Sequence, residues 1–141
     1  MPVLDSYLFF NGNCAEAMRF YERTLGGRLE ALMKYGDSPD PNQCAGIEGA
    51  ADRVMHASMK LGDRTLMASD VPPGHPLGAA SGFSLSLAYP TAAEANRIFD
   101  ALAAGGQVTM PLQKTFYAET FGMLVDRFGT PWMVGGGYQA A

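Results

Sequence analysis

The chain has 141 residues, 48% of them apolar and 17% charged, with a net charge of −4; that composition supports a folded domain with its own core and excludes a disordered chain. It has no basic stripe to neutralise phosphates, no polybasic segment to meet anionic lipid and no apolar run long enough to span a bilayer, so neither nucleic acid nor membrane is an expected partner. The opening MPVLDSYLFF carries an acid where a secretory signal carries Lys or Arg, which points to a cytoplasmic protein with Cys14 and Cys44 as thiols.

In chain order, SYLFF (6–10) reads as a strand and leads into a helix around AEAMRFYE (15–22). Ala17, Phe20, Tyr21 and Leu25 approximate one apolar stripe. Asn13, three residues before Glu16, suggests a capping box, and Gly26-Gly27 a helix end. Cys14 at this helix start reads as a small core-facing residue, with a reactive thiol as the alternative. Strands are predicted at RLEALMKY (28–35), VMHASMKL (54–61) and RTLMAS (64–69), the last two joined by a two-residue hairpin turn at Gly62-Asp63.

The same order then repeats. FSLSLAY (83–89) reads as a strand, and AEANRIFD (93–100) as a helix burying Ala95, Ile98, Phe99 and Leu102. Thr91 and Glu94 form its capping box, and Gly105-Gly106 closes it. Strands follow at QVTMP (107–111), GMLVDRF (122–128) and TPWMVGG (130–136), the last two joined by a turn at DRFG. Long loops are expected at 36–52, 70–81 and 112–121. Each half therefore reads β-α-β-β-β. The expected fold is α+β: a single domain over 1–141, with modules at about 1–72 and 80–138 forming a curved mixed sheet, a shared trough and helices outside.

Three stretches, YLFFNGNCAEAMRFYERTLGG (7–27), LMASD (66–70) and QKTFYAETFGMLVDRFGTPWMV (113–134), resemble the PhnB-like branch of the vicinal oxygen chelate superfamily. That group includes glyoxalase I, extradiol dioxygenases, and fosfomycin and bleomycin resistance proteins. The resemblance implies a divalent metal held by inward His and Glu side chains on four strands. Here those positions fall near Ser6, Met67, Phe83 and Met133, and a shift of one residue gives Asp5, Ala68, Ser84 or Val134. Neither set suits a hard or borderline divalent ion, so no metal is expected at the usual positions; the alternative is a rearranged site in which His56 joins two of Glu48, Asp70 and Glu119. Members of the branch have carried a ubiquinone methyltransferase-type label, but no glycine-rich strand-to-helix loop is present to receive a nucleotide-like cofactor. The resemblance also implies a homodimer, which open sheet edges would favour.

The candidate chemistry centres on His56. A two-residue turn at Gly62-Asp63 sets Ser58 opposite Met67, which puts His56 on the Met67 face. There it could act as an acid or base, with Glu119 or Gln113 assisting. Glu48 and Asp70 are further carboxylates on predicted loops, and His75 sits in the turn PPGHP. Met67, Phe83 and Met133 would floor the trough, with Tyr7, Phe116, Tyr117 and Trp132 on its rim. Each aromatic, and His56 itself, also has an ordinary reading as a core residue. Two functions result: metal-independent binding of a small, partly apolar molecule, or an isomerase, lyase or group transferase built around His56. Neither a Ser-His-Asp order nor a phosphate-cradling loop supports nucleophilic or nucleotide chemistry.

Overall fold

The computed structural model describes residues 2–37 and 50–139, and the chain divides into two compact units, Met1–Gly78 and Ala79–Ala141. The first contains β1 (Ser6–Phe10), α1 (Cys14–Leu25), β2 (Arg28–Lys34), β3 (Val54–Leu61) and β4 (Arg64–Asp70). Its sheet runs β1-β4-β3-β2, with β1 parallel to β4 and the other pairs antiparallel. The second contains β5 (Leu85–Tyr89), α2 (Ala92–Ala103), β6 (Gln107–Gln113), β7 (Ala118–Val125) and β8 (Pro131–Tyr138). Its sheet runs β5-β8-β7-β6, with β5 parallel to β8. The chain is thus α+β, with two βαβββ modules and two four-stranded mixed sheets. The similar segments AEAMRFYE (15–22) and AEANRIFD (93–100) lie in the helix that backs each sheet.

In the first unit α1 buries Cys14, Ala17, Met18, Phe20 and Tyr21. Leu8, Phe10, Ala57, Met59, Leu66 and Ala68 are buried on the sheet side. They alternate along β1, β3 and β4 with more exposed residues, as a sheet with one covered face requires. In the second unit α2 buries the predicted Ala95, Ile98, Phe99 and Leu102, and Leu124, Trp132 and Val134 are buried from β7 and β8. Each large apolar side chain taken fully out of water contributes roughly 1.5–3 kcal/mol.

The two helices begin differently. Thr91 Oγ1 accepts the Glu94 N–H at 3.2 Å and lies 3.3 Å from Glu94 Oε1, so the predicted cap is present on α2. Asn13, by contrast, makes no side-chain capping bond on α1. Its place is taken by Asp70, predicted to lie on a loop but found at the end of β4. Asp70 Oδ1 accepts the N–H groups of Gly12 at 2.8 Å and Cys14 at 3.0 Å, and Oδ2 accepts that of Val54 at 2.9 Å. At 2% exposure this carboxylate satisfies otherwise unpaired donors and sets a negative charge against the positive end of α1.

The β3–β4 hairpin closes with Leu61 opposite Arg64 and Ser58 opposite Met67, the two-residue turn predicted. Gly62 holds φ at +62°, the sign the first position of a type II′ turn demands. The predicted loop over 112–121 is corrected to a tight hairpin, because β6 runs on to Gln113 and β7 begins at Ala118. Thr115 Oγ1 organises it by accepting the N–H groups of Tyr117 at 3.3 Å and Ala118 at 3.0 Å. Most of the 36–52 loop, including Cys44 and Glu48, lies outside the described residues.

Cys14 is fully buried. Burial first, and the Asp70 carboxylate second, push its thiol from 9.0 up to about 12. It is therefore a core thiol, not a nucleophile. Its raised value stabilises the fold fully below about pH 9, and that contribution is lost as pH climbs toward about 12. In a Cys44→Ser variant, iodoacetamide at pH 8 should leave the native protein unlabelled and react fully once denaturant is added. Full labelling of the folded protein would contradict this placement.

Candidate functional site

The first sheet presents one face to α1 and the other away from it. On the outer face, cross-strand register lines up Tyr7, Met67, Ser58 and Ala31 in one row. Phe9 lies beside Ser69, and Met33 beside His56. Strand alternation puts all of these opposite the buried Leu8, Phe10, Ala57 and Ala68. Tyr7 is 39% and Phe9 57% exposed. The Tyr7 hydroxyl lies 3.2 Å from His56 Nδ1, and the two ring centroids are 5.8 Å apart. Phe9 packs beside Tyr7 at 5.2 Å.

The Tyr7–His56 contact ties one imidazole nitrogen to a phenol. If Tyr7 donates, Nε2 carries the proton; if Nδ1–H donates to the phenol, Nε2 is the acceptor. Either way, the ring is oriented by a neighbour on the same face, as acid–base residues require. Behind this pair, the Tyr35 hydroxyl donates to the Asp70 carbonyl at 3.1 Å. Its phenol is held above the ordinary range, by burial first and then by Asp70 and Tyr7, against the opposing pull of Arg53. Arg53 Nη1 donates to Asn11 Oδ1 and to the Val71 carbonyl, both at 2.8 Å, which fastens the exits of β1 and β4 together.

On the second sheet, register sets Ser86 beside Met133, Met133 beside Met123, Gln113 beside Phe121, and Phe121 beside Gly135. This is the face away from α2. Tyr117, in the β6–β7 hairpin, meets Phe121 edge-on at 6.0 Å and stacks on Tyr138 at 6.1 Å. Phe116, 91% exposed, leans edge-on against Tyr117 at 5.1 Å. Glu119 projects from β7 with its carboxylate beside Gly137.

Several sequence-based placements change. Trp132 is 2% exposed and donates its indole N–H to Asp126 Oδ2 at 2.8 Å. It is a core residue on the α2 side, because it alternates with Met133 and only one of the two can face outward. Phe83 precedes β5 and is half exposed, so Ser86, not Phe83, stands beside Met133. Ser6 alternates with Tyr7, so Tyr7 is the residue of β1 that shares a face with Met67. His75 is exposed in a turn, its N–H donating to the Pro72 carbonyl at 3.1 Å. Of the predicted site residues, the first sheet gathers Tyr7, His56 and Met67, and the second carries Gln113, Tyr117, Glu119 and Met133. Phe9, Met33, Ser69 and Tyr35 were not anticipated, although the alternation of Tyr7 with Leu8 already signals Phe9.

The metal that the resemblance implies does not suit these positions. On the outer faces stand Tyr7, Met67, Ser86 and Met133, a phenol, two thioethers and a hydroxyl, where a divalent ion of the usual kind needs imidazole and carboxylate. Among the described residues, no three His, Cys, Asp or Glu side chains come together as an ion would require. The buried carboxylates of Asp70 and Asp126 are engaged with backbone and indole N–H groups. The glycine run Gly135-Gly136-Gly137 lies inside β8, not in a strand-to-helix loop. No described helix is long and apolar enough to cross a membrane.

Residues 3–134 match the sequence profile of the Glyoxalase/Bleomycin resistance protein/Dioxygenase superfamily. Protein YjdN of Escherichia coli (strain K12) is 38% identical over 140 residues, spanning 95% of this chain and 94% of YjdN. The crystal structure of protein PA1353 from Pseudomonas aeruginosa superposes with a TM-score of 0.88 at 46% identity, covering 99% of this chain and 100% of that one. The PhnB protein from Bacillus cereus, which bears the provisional name 3-demethylubiquinone-9 3-methyltransferase, superposes at 0.79 with 26% identity over 96% of this chain and 99% of its own. With its two βαβββ modules and these relatives, among whose structures a PhnB protein stands, the chain belongs to the glyoxalase/bleomycin resistance protein/dioxygenase (vicinal oxygen chelate) superfamily.

Proposed function

We propose that this chain is a cytoplasmic, homodimeric, glyoxalase-fold protein that binds a small, partly apolar molecule without the divalent metal usual in its superfamily. The observation that carries this reading is the outer face of the first sheet. There Tyr7, Phe9, Met33 and Met67 supply apolar surface, and His56 and Ser58 supply a few polar anchors, the mixture that marks small-molecule sites. The thioether and hydroxyl donor set supports the metal-free part. Dimerisation is supported by the outer strands of each sheet, β1 and β2 in one and β5 and β6 in the other, since unpaired edges favour association. The buried thiol of Cys14 suits a reducing compartment.

An NMR screen of small carboxylates, phenols and amides against isotope-labelled protein tests the reading. Hits should shift Tyr7, His56 and the Met67 methyl together, and Met67→Lys, which sets a charge on that face, should abolish them. Hits that leave all three signals unmoved would remove the basis for this site. The Tyr7–His56 bond supports a second reading, an isomerase, lyase or group transferase in which His56 handles a proton. In that case His56→Gln should lower turnover about 10²–10⁴-fold while ligand affinity holds within a few-fold. Full turnover by that variant would exclude His56 as the acid or base.

A further inference from the structure

Along β8, Trp132, Val134 and Gly136 face α2, while Met133 and Gly135 face away. Tyr138 is in step with Gly136, yet its ring lies on the outer face with Tyr117 and Phe121. The reversal occurs at Gly137, whose φ is +65°. That left-handed conformation favours glycine, and a Cβ there would also meet the Glu119 carboxylate at 2.7–2.8 Å.

The Tyr138 phenol occupies the place where a Gly135 side chain would begin, and Phe121 Cδ2 lies 3.2 Å from that same point. Tyr138 stacks on Tyr117 at 6.1 Å with 21° between the rings. The Gln139 N–H, donating to the Tyr117 carbonyl at 2.9 Å, holds the strand end against the hairpin. Burial, and secondarily Tyr117, raise the Tyr138 phenol above its ordinary range. The ring nevertheless remains 42% exposed. A bare glycine floor thus lies under the Tyr138 phenol, with the Tyr117 ring stacked on that phenol and the Phe121 edge beside the same floor.

We infer that the outer face of the second sheet contains a slot for a planar, phenol-sized aromatic ring, and that Tyr138 is its resident occupant, displaced when a ligand ring enters. Tyr138 itself shows what shape the slot accepts. The inference rests on the reading of these outer faces as small-molecule surfaces, but it uses none of the first-sheet residues that carry that reading.

p-Cresol, the tyrosine side chain without its backbone, is the probe. In wild-type protein with 13C-labelled tyrosine rings, it should move the Tyr138 and Tyr117 signals along one saturable curve. By calorimetry, Tyr138→Ala should bind p-cresol about tenfold tighter or better, because self-occupancy no longer lowers the competent fraction. Adding Gly135→Ala, which puts a methyl on the slot floor, should erase that gain, whereas Met67→Lys on the first sheet should leave it intact. Wild-type Tyr138 signals that stay fixed at saturating p-cresol would overturn the inference even if the alanine variant proved unfolded. So would a Tyr138→Ala variant that binds no tighter than wild type, or a gain that survives Gly135→Ala but vanishes with Met67→Lys.

Discussion

Replacing Asp70 by alanine is expected to destabilise the fold by about 4 kcal/mol, read as a lower midpoint in urea unfolding. Three backbone N–H groups converge on this carboxylate, those of Gly12, Cys14 and Val54. Each buried donor that loses its partner costs roughly 1–3 kcal/mol, and a charged acceptor at a helix start adds roughly 0.3–1 kcal/mol more. Asp70→Asn should lose about half as much, since its oxygen can still serve Gly12 and Cys14 while its amide turns a donor toward Val54. An alanine variant within about 1 kcal/mol of wild type would show that the carboxylate does not hold α1 in place.

Gly136→Ala is expected to be nearly as damaging, by about 3 kcal/mol, the upper end for overpacking. Its methyl would collide with the Thr91 carbonyl and lie 2.7 Å from the Ala95 Cβ. That carbonyl accepts the Ala95 N–H at 3.3 Å in the first turn of α2, so the clash falls on backbone that cannot rotate away. The helix must lift off β8, losing contact around Ala95 and Phe99. Gly78→Ala is the control, because nothing lies within 4 Å of its added methyl. Equal melting temperatures for the two variants would mean that α2 is not seated on Gly136.

What the sequence revealed follows the reach of each interaction. The paired helices, the α2 cap and the β3–β4 register depend on residues a few positions apart, so periodicity and turn chemistry exposed them. The α1 cap did not show, because Asp70 lies 56 positions from Cys14 and no local pattern links them. The 114–117 hairpin was hidden because Ala118, Glu119 and Thr120 resemble a loop until their alternating burial is seen. In the site, parity set His56 on the face of Met67, as the β3–β4 register has it, but put Ser6 where Tyr7 belongs. A one-residue error inverts a face. Trp132 was read as a rim residue because its type suits both rims and cores; the buried Asp126 that receives its N–H decides between them.

The contrast between the two helix starts has a consequence for how the chain is made. α2 carries its own start signal in Thr91, three positions from the amide it holds, so its cap can close without any distant residue. α1 borrows its anchor from the end of β4 and stays frayed until residue 70 has emerged, a long closure that short-range order cannot replace. The half synthesised first therefore waits on its own last strand before its helix can settle, although both halves follow the same plan.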